Sequence, residues 1–185
     1  GKAISFPEPS CYYYIFNCKK EPFDDPKVRK AFTYAINRQA IVDNITQAGQ
    51  VPALAFTPYG LPDMTPDKDF REVGGDYFKD NDVETAKKLL AEAGYPDGKG
   101  LPEIEILYNT DEGHQKIAEA IAQMWKDNLG ANVKLRNTEW GVYLNERDEG
   151  NFMVARAGWM PDYNDPMTFM DMHVTDGGNN DSFWS

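Results

Sequence analysis

The spacing of apolar residues along the chain predicts alternating strands and helices. The apolar run at residues 11–17 is typical of a strand. Asp25 is predicted to cap a helix that begins with Pro26, and Asn37 is predicted to cap a second helical segment that ends at Gly49. In both segments the apolar residues recur at helical spacing, so each helix is expected to bury one face.

A long irregular segment separates these helices from the rest of the chain. Residues 50–82 are rich in proline, glycine and aspartate and are predicted to be a loop. A loop of this length is uncommon in a compact domain unless it is functional or packs against another part of the protein. Asp82 is then predicted to cap a further helix, which Gly94 closes.

The pattern that follows predicts parallel strands. Alternation at residues 103–108 favours a strand, and Val133 with Leu135 marks another. Between them a helix is predicted from about Glu112 to Leu129, with Gly130 as its stop. Strand, helix and strand at these spacings form a βαβ unit, so we expect an α/β fold with a central sheet flanked by helices.

The last predicted elements lead into a candidate binding region. A short helix is predicted over residues 139–149 and a strand over residues 152–156. A loop at residues 158–162 follows that strand. Because ligands of open α/β sheets bind beyond the carboxyl ends of the strands, this loop is where a ligand is expected.

Composition narrows the classes of partner. The 185 residues suit one domain or one large lobe, and 41% of them are apolar, enough for a core. Thirty acidic against 19 basic residues give a net charge of -11, which disfavours nucleic acid as a partner. No apolar run is long enough to span a membrane. Residues 1–9 lack signal-peptide features, and we expect the chain to be part of a longer protein.

The chain offers little reactive chemistry. His114 and His173 have no partner at metal-ligand spacing and are expected to be surface residues. The sequence contains no nucleophile elbow, no zinc-protease motif and no phosphate-binding loop. Cys11 and Cys18 would stand roughly 23 Å apart along a strand, so both are predicted to be free and buried. No catalytic residue, metal or cofactor is predicted.

Aromatic and charged residues near the end of the chain suggest ligand binding instead. An aspartate and a tryptophan three residues apart, Asp162 and Trp159, suit an amine, because the carboxylate supplies charge and the ring supplies cation–π attraction. Two nearby arginines could meet a carboxylate. On spacing alone, structural roles are favoured for three residues. Trp140 could belong to the core, Arg147 could pair with Glu146 or Asp148, and Arg156 could pair with Asp162.

The sequence resembles the oligopeptide-binding protein family of ABC importers. The resemblance rests on about six segments in family order. They include Tyr-Tyr-Tyr-Ile-Phe-Asn at 12–17, Pro-Phe-Asp-Asp-Pro-Lys-Val-Arg-Lys-Ala at 22–31, Ala-Lys-Lys-Leu-Leu-Ala-Glu-Ala-Gly-Tyr at 86–95, and Ala-Arg-Ala-Gly-Trp-Met-Pro-Asp-Tyr-Asn at 155–164. It implies that residues 1–185 are a single lobe, the distal one, of a two-lobed periplasmic-binding-protein-like fold. Short peptides, the other lobe and a membrane permease are the implied partners, and the implied location is extracytoplasmic, with a lipid anchor on the full-length protein.

The resemblance also implies roles for individual residues. Asp162 matches the aspartate that holds the α-amino group of a peptide, and Gly158 with Trp159 would line the peptide backbone and a side-chain pocket. Met160 stands where some relatives have a disulfide-forming cysteine, so that bridge is not expected. The expected ligand-binding set is Asp162, Trp159, Gly158, Arg156, Trp140, Arg147, Met160 and Tyr163. A sugar or metal complex bound on the same scaffold, and a hydrolase, are the alternatives.

Overall fold

A computed structural model describes residues 8–185, and the first seven residues of the stretch without signal-peptide features lie outside it. Its four strands form one sheet of order β1-β4-β2-β3. The strands are Cys11–Phe16 (β1), Ile104–Asn109 (β2), Val133–Thr138 (β3) and Val154–Trp159 (β4). Strand β2 pairs in parallel with β3 and β4, whereas β1 pairs antiparallel with β4. The predicted α/β class is confirmed.

Seven helices surround the sheet in the described part of the chain. They are Pro26–Tyr34 (α1), Arg38–Ile41 (α2), Phe70–Gly74 (α3), Val83–Glu92 (α4), Glu112–Leu129 (α5), Trp140–Asp148 (α6) and Met167–Met170 (α7). A π-helical turn, Val42–Thr46, continues α2, and single 3-10 turns occur at Pro96–Gly98 and Asp171–His173.

The predicted caps are confirmed by hydrogen bonds between residues that are close in sequence. Asp25 Oδ1 accepts from the Lys27 amide at 2.8 Å, and Asn37 Oδ1 accepts from the Ala40 amide at 3.0 Å. Helix α5 ends where Gly130 adopts a left-handed conformation, with φ of 68°. Strand β2, helix α5 and strand β3 form the predicted βαβ unit.

The sheet buries both of its faces. On one face Ile106 and Val154 belong to the main core, where α1, α4 and α5 pack. Leu107 and Ala155, the next residue of each strand, belong to a second core beneath α6. Because successive strand side chains point to opposite faces, this alternation places the two cores on opposite sides of the sheet.

Buried aromatic residues join α1 to α5 in the main core. The rings of Phe32 and Trp125 meet edge to face with centroids 4.8 Å apart, and both side chains are fully buried. Trp125 Nε1 also donates to the Phe32 carbonyl at 2.9 Å, which satisfies the indole where water cannot reach it.

Two boundaries in the first half differ from the prediction. The second helical segment ends at Gln47, which takes the left-handed conformation two residues before Gly49. The segment 50–82 is not entirely loop, because it contains α3. Arg71 on α3 is buried and pairs with Asp76, so a buried cation holds this segment together.

Strand β4 and the cysteines also differ from the prediction. The strand was expected to end at Arg156, but it continues to Trp159 because β1 pairs with it along all six residues. Gly158 is therefore a strand residue. Both cysteines are free, as expected, but only Cys11 is buried and Cys18 is partly exposed.

A close approach of two turns at Gly130 gives a test of the fold. A Cβ atom on Gly130 would lie 2.3 Å from the Asp97 carbonyl oxygen, and its φ is left-handed. Replacing Gly130 by Ala is expected to lower the free energy of unfolding by about 1–3 kcal/mol or more, measured by urea unfolding. Gly74→Ala is the control, since its Cβ would meet nothing within 4 Å. Equal stability of the two variants would contradict this account.

Candidate functional site

The carboxyl ends of β2, β3 and β4 share one edge of the sheet, because the three strands are parallel. Helix α5 begins at this edge after β2, and α6 begins there after β3. Strand β1 runs the opposite way, so its first residues reach the same edge. Three strand ends, one strand start and two helix starts therefore surround the place where a ligand was expected.

Arg156 lies across the surface of β4 at this edge. Its Nη1 donates to Asn109 Oδ1 at 2.7 Å, and its guanidinium carbon is 5.3 Å from the centre of the Tyr12 ring. Gly158 leaves room for the guanidinium, since a Cβ there would be 3.2 Å from Nη2. Arg156 Nε is buried and has no hydrogen-bond partner within the described part of the chain.

The alternative of an Arg156–Asp162 ion pair is wrong. The partner of Arg156 is the neutral Asn109, and no described carboxylate forms a salt bridge with it. The reason is the continuation of β4, which carries the chain for three more residues before the loop that bears Asp162 begins. A half-buried guanidinium is thus left without a neutralising carboxylate.

The loop after β4 is held by one buried hydroxyl. Thr168 is fully buried, and its Oγ1 accepts from the Asp162 amide at 3.0 Å and lies 3.4 Å from Trp159 Nε1. The Asp162 carboxylate remains exposed to solvent, with no partner among residues 8–185. Thr168 was not among the residues predicted from the sequence. Its signal was a polar residue inside the apolar segment 167–170.

Two further predicted residues lie on this loop. Met160 is 57% exposed, so its thioether is available to an apolar ligand group. Tyr163 is 46% exposed and donates through its hydroxyl to Asp171 Oδ2 at 3.2 Å. Both residues therefore present side chains to solvent within a few positions of Asp162.

Trp140 is not a core residue. It is 54% exposed and stacks on the buried Tyr143, with ring centres 5.6 Å apart and planes at 27°. Since it is the first residue of α6, it stands at the edge of the sheet where β3 ends. One face of its indole is covered and the other is open, which suits a wall for a ligand.

Arg147 is engaged by a distant partner. It pairs with Asp181, not with its neighbours Glu146 or Asp148, and both side chains of the pair are 14% exposed. Its Nη1 also donates to the Tyr143 hydroxyl at 3.1 Å. The Arg147 backbone is seven residues along α6 from Trp140, a rise of about 10 Å, and its guanidinium reaches the Tyr143 hydroxyl. The other seven predicted residues lie on β4, on the loop after it and at the start of α6, whereas Arg147 lies near the end of α6 and is engaged by Asp181 and Tyr143.

His114 belongs to the site although it was expected to be an ordinary surface residue. Its Nδ1 is 3.1 Å from the Tyr12 hydroxyl, so this phenol touches His114 while its ring faces Arg156. Burial lowers the pKa of His114, and the nearby Arg156 lowers it further. Burial similarly raises the pKa of Tyr12. A sequence signal existed: His114 occupies the first turn of a helix that follows a strand end.

The edge is open rather than enclosed. A cavity of about 490 Å³ lies along the outer side of β1, the outermost strand of the sheet, and none of the eight predicted residues lines it. Residues 8–185 contain no group of three or more histidine, cysteine or acidic side chains that could hold a metal ion. Within the same residues no helix has the length and apolarity needed to cross a membrane.

Comparisons with known proteins agree with this geometry. Residues 1–181 match the model of the bacterial extracellular solute-binding proteins, family 5 middle region. This chain belongs to that family. It is 45% identical to the oligopeptide-binding protein OppA of Bacillus subtilis over 94% of its own length and 32% of that protein. The family-5 chain thus spans about a third of the length of the relatives that it matches.

Solved structures share the fold. The unliganded murein tripeptide-binding protein MppA is 41% identical, with a TM-score of 0.84 over 97% of this chain and 34% of that chain. The structure of Listeria monocytogenes OppA bound to peptide is 31% identical, with a TM-score of 0.84 over 96% of this chain and 36% of that chain. The predicted family and fold are therefore confirmed.

Thr168 gives a test of how this family-5 chain holds its loop. Replacing Thr168 by Val keeps the shape but removes the acceptor, so the Asp162 amide is expected to exchange its hydrogen faster in NMR experiments, while global stability falls by about 1 kcal/mol. The exposed Thr175→Val is the control. Unchanged exchange at Asp162 would show that Thr168 does not fix the loop.

The folded chain is expected to lose stability in weak acid because of its two histidines. Burial lowers the pKa of both His114 and His173 in the folded chain. Their contribution to stability is complete above the unfolded-state pKa of about 6.5 and is lost as the pH falls from there through the lowered folded-state pKa. Urea unfolding is expected to show lower stability at about pH 5.5 than at about pH 7.5. Replacing both histidines by Gln is expected to reduce that difference, and an unaltered difference would contradict the assignment.

Proposed function

We propose that this chain is one lobe of a two-lobed extracytoplasmic protein that binds short peptides between its lobes and delivers them to an ABC importer. The observation that carries the proposal is the Asp162 carboxylate, exposed at the carboxyl end of β4 on a loop anchored by Thr168. The names of the relatives support it, since OppA of Bacillus subtilis is called an oligopeptide-binding protein and Listeria OppA was solved with a peptide.

In this proposal Asp162 binds the α-amino group of the peptide. A carboxylate without a cationic partner can form a charge-assisted hydrogen bond to an ammonium group. Trp159, anchored by the same Thr168, would pack beside it. Because the Asp162 amide is already bonded to Thr168, the loop is ordered before the ligand arrives, which limits the entropy lost on binding.

The rest of the edge would bind the remainder of the peptide. Arg156, which has no carboxylate partner among residues 8–185, would receive a terminal carboxylate or an acidic side chain. Gly158 would leave space for the peptide backbone to approach the strand. Trp140, Met160 and Tyr163 would form walls for side chains, all three being about half exposed. Arg147 would act indirectly, because Asp181 and Tyr143 occupy its guanidinium.

The openness of the edge supports a two-lobed arrangement. A site that encloses a ligand needs surface on several sides, and this edge provides one side. We infer that residues 1–185 form the distal lobe and that the missing surface belongs to the other lobe. Closure of the lobes around a peptide would signal occupancy to the permease. The full-length protein would work outside the cytoplasm, held by a lipid anchor, without catalysis, cofactor or nucleic acid.

Asp162→Asn tests the role of the carboxylate. In the two-lobed protein, peptides with a free α-amine are expected to bind roughly 10- to 100-fold more weakly, because a charged hydrogen bond of about 1.5–3 kcal/mol is lost. Calorimetry with free and N-acetylated peptides measures this. Asp165→Asn is the matched control, since it removes the same charge from the same loop while its carboxylate only accepts from the Met167 amide.

Three results would contradict the proposal. Equal losses for the Asp162 and Asp165 variants would show that charge alone matters. Binding of a sugar or metal complex that survives Asp162→Asn, with no peptide binding by the unaltered protein, would favour another solute. Cleaved peptides after incubation would indicate a hydrolase. An NMR titration of the 185-residue chain, with shifts centred on residues 158–162 only for free amines, would locate the amine site directly.

A further inference from the structure

Tyr143 contacts three of the predicted binding residues. It is fully buried on α6. Its ring stacks on Trp140, and the guanidinium carbons of Arg147 and Arg156 lie 5.4 and 6.0 Å from its centre. Tyr143 therefore stands between an exposed aromatic wall and the two arginines.

The hydroxyl of Tyr143 has one hydrogen-bond partner as a donor and another as an acceptor. It donates to the backbone carbonyl of Arg156, and it accepts from Arg147 Nη1 at 3.1 Å. Arg147 is held in turn by Asp181. Because a buried hydroxyl with both partners in place is fixed in direction, this network ties α6 to the main chain of β4.

The Arg156 carbonyl needs this partner because the sheet pairing ends just before it. Strands β2 and β4 form two residue pairs, the last of which is Leu107 with Ala155, although β2 continues to Asn109. The bond from the Asn17 amide to the Met153 carbonyl sets the alternation of the β1–β4 ladder, so the Arg156 carbonyl points away from β1. Beyond the last β2–β4 pair, the Tyr143 hydroxyl donates to the Arg156 carbonyl in place of a backbone amide of β2.

We propose that Tyr143 is a positioning residue for Arg156 and thereby sets how strongly the site holds a carboxylate. Its hydroxyl fixes the Arg156 backbone, and Asn109 fixes the far end of the same side chain. Arg156 is thus anchored at its backbone and at its guanidinium, which lies in the space left by Gly158. This inference rests on the proposed peptide-binding function and adds to it a residue that does not touch the ligand.

The test compares Tyr143→Phe with the unaltered two-lobed protein, using trialanine and its C-terminal amide as ligands. Loss of the hydroxyl is expected to lower affinity for the free acid about tenfold, the effect of roughly one hydrogen bond to a charged or buried group. Affinity for the amide is expected to stay within about twofold, since its amine still meets Asp162. The preference for acid over amide is the quantity that a purely structural role would not change.

Tyr95→Phe is the matched control, because it removes a hydroxyl that donates to Glu21 Oε1 at 3.4 Å, away from the site. Circular dichroism and thermal unfolding establish that each variant folds. A ligand-free readout accompanies them: the ¹⁵N–¹H signal of Arg156 Nε is expected to shift or broaden in Tyr143→Phe and to stay unchanged in Tyr95→Phe.

Three results would overturn the inference. The first is an equal loss for acid and amide, which indicates general damage to the fold. The second is an unchanged preference for the acid in Tyr143→Phe. The third is an unaltered protein that binds both peptides equally, which would mean that Arg156 holds no carboxylate. Failure of the unaltered protein to bind either peptide would instead contradict the proposed function, and this inference would fall with it.

Discussion

The antiparallel pairing of β1 with β4 is the interaction on which the rest of the site depends. Six residue pairs, from Cys11 opposite Trp159 to Phe16 opposite Val154, join parts of the chain more than 130 positions apart. This ladder brings Tyr12 over Arg156 and extends β4 as far as the anchored loop. The buried Asn17 continues the connection, donating to the carbonyls of Gly150 and Phe152 at 3.0 and 3.1 Å.

Arg156 and Arg29 are the two arginines that form no ion pair with a carboxylate in the described part of the chain. Within the described residues, four of the six arginines form ion pairs with acidic side chains, namely Arg38, Arg71, Arg136 and Arg147. Arg29 donates to backbone carbonyls, and Arg156 donates to an amide oxygen. In a chain of net charge -11, a cation left without a carboxylate stands out, because acidic partners are abundant. Its surroundings are built to hold it in place and leave its charge available.

Features that depend on contacts between residues close in sequence were predicted correctly, and features that depend on distant residues were missed. The caps at Asp25 and Asn37 and the stop at Gly130 were predictable, since each depends on neighbours within a few positions. The extension of β4 through Gly158 was not, because pairing with a distant strand outweighs the weak strand propensity of glycine. The Arg147–Asp181 pair was missed for the same reason, as its members are 34 positions apart.

In the loop after β4, the atoms that hold the loop in place are different from the side chains that it exposes to solvent. Thr168 holds the loop by a hydrogen bond to the Asp162 backbone amide and lies close to the Trp159 indole nitrogen. Neither of these two nitrogens belongs to the exposed side chains of the loop. The exposed side chains of Met160 and Asn164 can therefore be exchanged without moving the loop. In evolution or in the laboratory, the chemistry that this loop presents to solvent is free to change by single substitutions while the scaffold beneath stays as it is.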